Sequence, residues 1–305
     1  MDINTANMSI LFQAMSLRFK KAFEAKVERG YEPFTMVVPM GTRTLVMPFM
    51  EQITGMREWI GPRLKNHVRT DKLTFTTRKF ELTQGIPRDD VEDDQYQMYG
   101  VLFEQMGVQA ANLPLDLVGE LLNKASSQKW IDGKNFFATD RKYGDGKNAS
   151  NISNTCTSAL SEESLKAAYD TMTEYKGHGG RSLHVRPTHL VHGTSLRWKA
   201  KELLKNPNVM VEGTAGAVTL TNPVQNLVED LELPEIDGNK WFLVAANGPY
   251  KPVCYFSRRK PDHIVRKDKP TDDNVFDTDE YVYGCDARAE AAFVLPHLIY
   301  FGNPA

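Results

Sequence analysis

Apolar positions repeat every three or four residues in two long stretches of the chain, which is typical of amphipathic helices. The first stretch covers residues 8 to 29, with apolar positions at Phe12, Met15, Phe19, Phe23 and Val27. The second covers residues 91 to 125, with apolar positions at Met98, Leu102, Met106, Ala110, Leu113, Leu117 and Leu121. Pro114 lies inside the second stretch, where a proline kinks or splits a helix. A helix of that length would be on the order of 50 Å long.

Between Leu64 and Pro87 the apolar positions alternate with the period of a β-strand, first in one register and then in the other. The register slips at Arg78–Lys79, which predicts a bulge or a tight turn there. We therefore predict a β-hairpin whose faces are largely solvated, and such a hairpin is only marginally stable alone. The stretch before it, residues 30 to 49, contains three prolines and is interpreted as an extended arm rather than a packed element.

The rest of the chain mixes helices and strands, which predicts the α+β class. Residues 161 to 175 begin with a capping pattern at Ser161 and are predicted to be a helix. Residues 184 to 206 are predicted to be a strand followed by a helix. Strands are predicted in KWFLVAANG, in KPVCYFSRR and in the C-terminal EYVYGCDARAEAAFVLPHLIYFGN. The turn-rich residues 132 to 160 are predicted to be a flexible surface loop.

Composition and charge restrict the class of protein. The chain has 305 residues, of which 41% are hydrophobic and 25% charged, as in soluble globular proteins. Its net charge of −2 argues against a protein that mainly grips nucleic acid through phosphates. Cys156, Cys254 and Cys285 lie far apart, which excludes a disulfide framework and suits a reducing cytoplasm. The longest apolar run has eleven residues, too few to span a bilayer.

An acidic cluster, RDDVEDD, is the strongest candidate for chemistry. It contains five carboxylates, Asp89, Asp90, Glu92, Asp93 and Asp94. They could hold a metal ion, perform acid–base catalysis, or sit in solvent where the helix dipole favours negative charge at a helix start. No EF-hand or HExxH pattern accompanies them. The third interpretation accounts for their type and position.

The histidines and serines offer no better catalytic site. Strand alternation would direct His189 and His192 to opposite faces, so they would not share one ion with His184. Ser195 lacks the GxSxG turn of a hydrolase. We therefore predict that the chain has no catalytic residue, metal or cofactor and is not an enzyme. A metal-dependent hydrolase using the acidic cluster and the histidines stays as an alternative.

Charge is also separated into blocks near the C-terminus. Residues 258 to 267 carry five basic side chains, including Arg258 and Arg259, and residues 268 to 280 carry six acidic ones. Adjacent blocks of opposite sign suit contacts between copies of one protein, although a solvated loop is the simpler interpretation.

Several segments resemble the Mu-like phage major head subunit family, gpT. They are REWIGPRL (57–64), FELTQGIPRDDVEDDQYQMYG (80–100), DGKNFFATD (132–140), KPVCYFSRRKPD (251–262) and VFDTDEYVYGCDARAEAAF (275–293). The resemblance implies the Hong Kong 97-type major capsid fold. Its expected parts are an N-terminal arm (1–56), an extended hairpin loop (57–90), a peripheral domain with a long spine helix (91–150), an axial domain (151–245) and a return to the peripheral domain (246–305).

The same resemblance implies the function and the partners. The chain would be the major capsid protein of a tailed bacteriophage or Mu-like prophage, assembling in the host cytoplasm into hexamers and pentamers of an icosahedral virion shell. Its expected partners are further copies of itself, a separate scaffolding protein, a portal, decoration proteins and double-stranded DNA packaged without sequence specificity, with no membrane. A cytoplasmic encapsulating shell of the same fold is the second alternative.

The candidate contacts between subunits come from these segments, the register slip and the basic block. They are Arg57, Glu58, Trp59, Arg63, Arg78, Lys79, Asp89, Asp90, Glu92, Asp93, Asp94, Arg258 and Arg259. Residues 1 to 56 hold one helix and a proline-rich arm, about what a mature arm needs. We therefore expect no scaffolding prodomain to be removed. A separate scaffold would engage the basic helix between Arg18 and Arg29.

Overall fold

The computed structural model describes residues 5–25, 27–50, 70–93, 96–143, 150–177, 180, 182–213, 216–269 and 271–304. Within them the α-helices are α1 (Thr5–Phe23), α2 (Arg88–Glu92), α3 (Tyr96–Asn123), α4 (Glu162–Thr173), α5 (Arg197–Lys205) and α6 (Asp273–Thr278). The strands are β1 (Thr35–Pro39), β2 (Thr44–Met50), β3 (Thr70–Thr76), β4 (Arg78–Pro87), β5 (Arg141–Tyr143), β6 (Ser150–Ile152), β7 (Thr155–Cys156), β8 (His189–His192), β9 (Asn208–Gly213), β10 (Gly216–Thr221), β11 (Glu229–Glu232), β12 (Trp241–Val244), β13 (Val253–Arg259), β14 (Val265–Lys267), β15 (Glu280–Phe293) and β16 (Ile299–Gly302). This mixture confirms the predicted α+β class.

The first five-stranded sheet is organised around β15, whose 14 residues alternate between a buried face and a partly buried one. On one edge β15 pairs with β14 and then with β13, and on the other edge it pairs with β4, all antiparallel. β1 completes the sheet by pairing parallel to β13. The clean alternation of EYVYGCDARAEAAF is what a strand with one core-facing side requires, and the predicted C-terminal strand is confirmed.

The second five-stranded sheet has the order β11-β8-β12-β16-β7. All four residues of β12 and all four of β16 are buried, because both faces of these strands are covered. α4 and α5 pack their apolar sides into the same core. α4 begins with a capping box in which the hydroxyl oxygens of Ser161 and Ser164 each accept a hydrogen bond from the other residue's backbone N–H, as predicted. α5 buries Ala200, Leu203 and Leu204, also as predicted.

α1 packs along the first half of α3 and on β15, forming a second apolar core. Its buried side chains are Met8, Leu11, Met15 and Phe19, spaced as in an amphipathic helix. Gly107 of α3 permits the close crossing, because a Cβ there would lie 2.4 Å from the backbone oxygen of Phe19. α1 ends at Phe23, six residues before the predicted end.

The predicted long helix is present, but it begins later and is not divided at its proline. α3 runs unbroken through Pro114 to Asn123. The acidic cluster lies before α3, on the separate five-residue α2 and the turn after it, and the first turn of α3 contains no acidic residue. The interpretation of the cluster as the start of the long helix is therefore wrong, whereas Asp89 and Asp90 do occupy the first turn of a helix.

The predicted hairpin between residues 64 and 87 is wrong in its pairing. β3 pairs with β2, from Thr44↔Thr76 at the root to Met50↔Thr70 at the far end. β4 instead pairs with β15, about 200 residues later in the chain. The predicted register slip at Arg78–Lys79 corresponds to Thr77, the residue between the two strands. Alternation along a strand shows which face is buried but not which strand is its neighbour.

The interpretation of residues 30 to 49 as an unpacked arm is also wrong. Phe34 is fully buried, and β1 hydrogen-bonds in register with β13 from Thr35↔Val253 to Pro39↔Ser257. Pro39 stands at the last position of an edge strand, where its missing N–H leaves no ladder bond unmade.

The predicted flexible loop at residues 132 to 160 contributes to the main core. Phe136 and Phe137 are buried against Phe293: the Phe136 ring stacks on it with centroids 4.7 Å apart, and the Phe137 ring meets it edge to face at 5.1 Å. Arg141 is buried beside them, with its guanidinium 5.8 Å from the centre of the Trp130 ring. Aromatic burial therefore anchors a segment whose composition suggested a surface loop.

None of the helices in the described part of the chain is both long and apolar enough to cross a lipid bilayer.

Candidate intersubunit surfaces

Arg78 ties together three elements at the place where the chain passes from the β2–β3 hairpin into the first sheet. Its guanidinium donates to Glu290 of β15 over 2.7 and 3.0 Å. It also donates to Glu120 of α3 over 2.8 and 3.3 Å. The planar fork of arginine suits two carboxylates at once. Arg78 is thus engaged within its own subunit, and its role as a contact between subunits stays a prediction.

Hydrogen bonds in this network stabilise the charged forms of both Glu120 and Arg78. Hydrogen bonds from Arg78, and then from Lys124, lower the pKa of Glu120 to about 2. Hydrogen bonds to Glu120 and Glu290 raise the pKa of Arg78 above its already high value. Lys124 completes the row with a 2.5 Å contact to Glu120. The root of the hairpin is therefore fixed to α3 and β15 by ionic hydrogen bonds.

The acidic cluster is partly engaged within the subunit and partly free. The Tyr99 hydroxyl donates to Asp90, which raises the pKa of Tyr99. Arg88 donates to Glu92 over 2.9 Å. Asp89 and Asp93 are exposed, and no ion pair joins either carboxylate to a basic side chain in the described part of the chain. Both carboxylates are therefore accessible to a neighbouring subunit.

A row of basic side chains crosses the outer side of the first sheet. Lys79 of β4, Arg288 of β15 and Arg259 of β13 lie directly opposite one another. Directly opposed residues on antiparallel strands have Cβ atoms about 5 Å apart, so like charges there repel. A hydrogen bond from Arg259 to Asp286 offsets part of that repulsion. Lys79 and Arg258 are exposed and have no carboxylate partner among the described residues.

Arg57, Glu58, Trp59, Arg63 and Asp94 lie outside the described residues. Of the thirteen candidates, the structure thus brings Lys79 and Arg259 onto one surface and places Arg258 next to them. It gathers Asp89, Asp90, Glu92 and Asp93 at α2, and keeps Arg78 inside the hairpin root.

A groove of about 420 Å³, which sequence reasoning missed, opens beside the hairpin root. Its floor includes Leu117 and Leu121 of α3, Trp130, and Phe293 at the end of β15. Its rim carries Arg78, Lys124 and Lys129 together with Glu120 and Glu290. The groove exists because β4 leaves the edge of β15 after Arg78↔Ala289, while β15 continues for four more residues. No local sequence pattern could indicate it, since its walls come from four separate segments.

The histidines singled out in the sequence are not brought together as metal ligands. His189 approaches Glu229 at 3.2 Å, whereas His192 is buried and approaches Asp230 at 2.7 Å. Each therefore has its own carboxylate partner on β11. The Ser195 hydroxyl donates to the backbone oxygen of Gly238 rather than to a histidine. Over the described part of the chain, no three histidine, cysteine, aspartate or glutamate side chains are grouped to hold a metal ion.

Comparison with known families gives one match along almost the whole chain. The family described as "Mu-like prophage major head subunit gpT" matches residues 8–159, 155–236 and 224–304.

Individual relatives agree with that match. The chain is 25% identical to the major capsid protein of Escherichia phage Mu over 284 residues, which are 92% of this chain and 70% of that protein. It is 30% identical to the Mu-like prophage FluMu major head subunit of Haemophilus influenzae over 150 residues, which are 47% of this chain and 49% of that protein.

Among solved structures, the chain resembles the subunit of the procapsid of bacteriophage JBD30. The TM-score is 0.64 at 24% identity, covering 99% of this chain and 77% of that one. A similarity at this identity concerns the fold, which is the Hong Kong 97-type capsid fold, as the resemblance implied.

Proposed function

The chain belongs to the Mu-like prophage major head subunit gpT family and is a structural protein of the phage head shell rather than an enzyme, and we propose that its β2–β3 hairpin is the main element by which one subunit holds the next. The observation that carries this proposal is the isolation of the hairpin. Within the described residues, β2 and β3 pair only with each other. A two-stranded hairpin is marginal in water, so its outer part gains stability when a neighbour covers it.

The hairpin root, formed by Leu45, Phe75 and Arg78, is the part of the hairpin that is fixed to the rest of the subunit. Phe75 stacks on Phe256 of the first sheet with ring centroids 4.4 Å apart. Leu45, opposite Phe75, packs on the same small core. Arg78 lies two residues after the end of β3 and is held by Glu120 and Glu290. Because the root is fixed, the outer hairpin keeps a defined orientation relative to the rest of the subunit. A shell that repeats the same contact many times requires such a defined orientation.

The bounds that we propose for the extended loop and for the peripheral and axial domains differ from those expected from the sequence. We propose that the extended loop corresponds to β2, β3 and the residues between them rather than to residues 57–90. The peripheral domain would contain α1, α3 and the first sheet. The axial domain would contain α4, α5 and the second sheet, within residues 151–245.

The shell also needs partners of other kinds. We propose a separate scaffolding protein that contacts the outer side of α1, where Ile10 is 65% and Leu17 is 69% exposed near the basic Lys21. A portal, decoration proteins and packaged double-stranded DNA held without sequence specificity are further proposed partners. The net charge of −2 suits DNA that is enclosed rather than tightly gripped.

The test of the hairpin proposal is a truncation that leaves the root intact. Residues 47 to 73 are replaced by Asn-Gly. This two-residue turn connects Val46 to Thr74, its partner on the neighbouring strand. The variant is expected to unfold in one cooperative thermal transition and to form no shells by electron microscopy. The unaltered chain, coexpressed with its neighbouring head genes, is expected to form closed shells.

Two outcomes would contradict the proposal. Shells formed by the truncated chain would show that the hairpin is dispensable. A truncated chain without a cooperative transition would show that the hairpin belongs to the subunit's own core. Exchanging Ile10 and Leu17 for serine tests the scaffold separately, because it should reduce co-purification of the scaffold without changing the thermal transition.

A further inference from the structure

Phe276 is an aromatic side chain that the subunit leaves in solvent. It lies on the six-residue α6 and is 89% exposed, more than any other exposed large apolar side chain described. The preceding Val275 is buried and fixes the helix to the body. Asp273 and Asp277 on the same helix are exposed, and neither is joined by an ion pair to a basic group in the described part of the chain. We refer to α6 with these three exposed side chains as the acidic knob.

The groove beside the hairpin root has the complementary character. Its lining contains the apolar side chains of Leu117, Leu121, Trp130 and Phe293 among polar ones, and its volume of about 420 Å³ lies in the range of small-molecule clefts. Its rim includes Lys129, whose ammonium donates to the neutral amide oxygen of Asn135 over 2.9 Å, so no carboxylate among the described residues neutralises it. Lys124 on the same rim is 58% exposed and contacts Glu120. The carboxylates of the rim, Glu120 and Glu290, are occupied by Arg78, so Lys129 supplies the positive charge to which an aromatic ring flanked by carboxylates is complementary.

One subunit cannot place its own knob in its own groove. α6 leads into Glu280, the first residue of β15, whereas the groove wall begins at Glu290 of the same strand. Ten residues of a β-strand span roughly 34 Å. Because the strand is held rigidly in the centre of a sheet, the knob and the groove stay at its opposite ends.

We propose that the acidic knob of one subunit inserts Phe276 into the groove of a second copy of this chain, with Asp273 and Asp277 facing the lysines of the rim. This inference rests on the proposed function, since it requires assembly of the chain with itself. The two surfaces differ, so the contact is head-to-tail. Such contacts close into rings when the rotation between copies allows it, as the hexamers and pentamers of a shell require.

The knob and the hairpin root would then meet in the assembled shell. The groove is bounded by β3 and by Arg78, the same residues that fix the hairpin. A ring seated in the groove would cover one side of the hairpin root and exclude water from the Arg78–Glu120 pair, which strengthens ionic hydrogen bonds. Occupation of the groove would thus link the ring contact to the position of the hairpin.

Cysteine cross-linking tests the contact. The double variant T278C and Q128C, which keeps Phe276 and the lysines of the rim, is assembled with the other head proteins, and the particles are treated with a short bifunctional maleimide. Thr278 is exposed at the end of α6 and Gln128 lines the groove. Cys254 and Cys285 are buried, whereas Cys156 is partly exposed, so Cys156 is replaced by serine in every variant. Each subunit carries one knob and one groove, so a ladder of covalent dimers, trimers and longer chains is expected on denaturing gels. Each single variant should give dimers at most.

A matched control uses W198C with Q128C. Trp198 is 75% exposed on α5, so a cysteine there is accessible but lies on another element. This pair should give no ladder. Shells without a ladder in the T278C and Q128C variant would overturn the inference while leaving the proposed function intact. Cross-links from T278C to a different head protein would show that the groove's occupant is not a second copy. Absence of shells from the unaltered chain would refute the proposed function itself.

A second measurement avoids introduced cysteines. F276S should lower the yield of shells about tenfold or more, the effect of losing one strong interface anchor, with an unchanged melting temperature for the unassembled subunit. F276L, which keeps an apolar side chain, should assemble within about threefold of the unaltered chain. Equal assembly by F276S and the unaltered chain would overturn the inference.

Discussion

Replacing Arg78 by glutamine should loosen the hairpin root and destabilise the subunit. The change removes four hydrogen bonds to Glu120 and Glu290 but keeps a polar side chain of moderate length. Among the described residues, Glu120 would retain Lys124 alone as a close cation. Glu290 would lose its basic partner on β4. Lysine at this position should restore only part of the stability, because an ammonium cannot bind both carboxylates in a bidentate manner.

The size of the effect follows from Glu120. Its pKa falls from 4.5 to about 2, and about 1.4 kcal/mol corresponds to each factor of ten in proton affinity. The whole shift would therefore correspond to about 3.4 kcal/mol, which is a ceiling. The side chains of Arg78 and Glu120 are 46% and 34% exposed, and solvent screening reduces such pairs to at most about 1 kcal/mol each. With two carboxylates involved, we expect R78Q to lower the free energy of unfolding by about 1 to 2 kcal/mol.

Urea titration of the dilute, unassembled subunit measures this free energy. The folded-state pKa of Glu120 is lowered, so its contribution is fully present above the unfolded value of 4.5 and is lost as the pH falls towards about 2. The difference between the unaltered chain and R78Q should hence be constant from pH 7 to pH 5 and should decrease by pH 3.5. High salt should reduce it as well.

Lys79 provides the matched control. It is the next residue, is exposed, and has no carboxylate partner among the described residues, so K79Q should change the free energy of unfolding by less than about 0.5 kcal/mol. A loss from R78Q no greater than that from K79Q would refute the assignment of Arg78 to the hairpin root. A loss that grows as the pH falls from 5 to 3.5 would refute the role of the ionised Glu120.

Other changes test the packing and the caps. Gly107→Ala should cost about 1 to 3 kcal/mol in urea titration, since the added methyl meets the α1 backbone at 2.4 Å, whereas Gly41→Ala, with nothing within 4 Å, should cost far less. Ser161→Ala removes the capping box of α4 and should cost about 1 kcal/mol, measured the same way. Changing Asp89 and Asp93 together to asparagine should leave the melting temperature nearly unchanged. Calorimetry should detect no metal binding that is present in the unaltered chain and lost in this variant. Stoichiometric uptake of a metal that the variant loses would return the hydrolase to consideration.

Local patterns in the sequence predicted the long helices and β15, but they missed β1 and β2 and did not specify which strands pair. The alternation of β15 and the helical spacing of α1 appear directly in the chain, because burial of one face dictates both. The pairing of β4 with β15 spans about 200 residues, and nothing in either strand specifies the other. The prediction of the hairpin was wrong for this reason. Strands that follow one another in the sequence often pair, but here β3 and β4, on either side of Thr77, belong to different sheets.

The surfaces were less predictable than the fold. Arg78 reaches Glu120 and Glu290, which are 42 and 212 residues away, so its internal role has no local signature. The adjacent Phe136 and Phe137 were a usable signal of burial that the surrounding glycine, asparagine and aspartate residues obscured. The acidic block around Phe276 was visible in the sequence, but its exposed ring became evident only from the direction of α6.

The late position of β15 has a consequence for synthesis of the chain on the ribosome. β1 and β4 are made early, yet β1 pairs with a strand at residues 253–259 and β4 with one at residues 280–293. At about 5 to 20 residues per second, β4 waits roughly 10 to 40 s for its partner. Until then the first sheet lacks its central strand. Chains that are terminated before Phe293, or cleaved while nascent, therefore never complete this sheet, and the cell's supply of building blocks is restricted to polypeptides translated at least through β15.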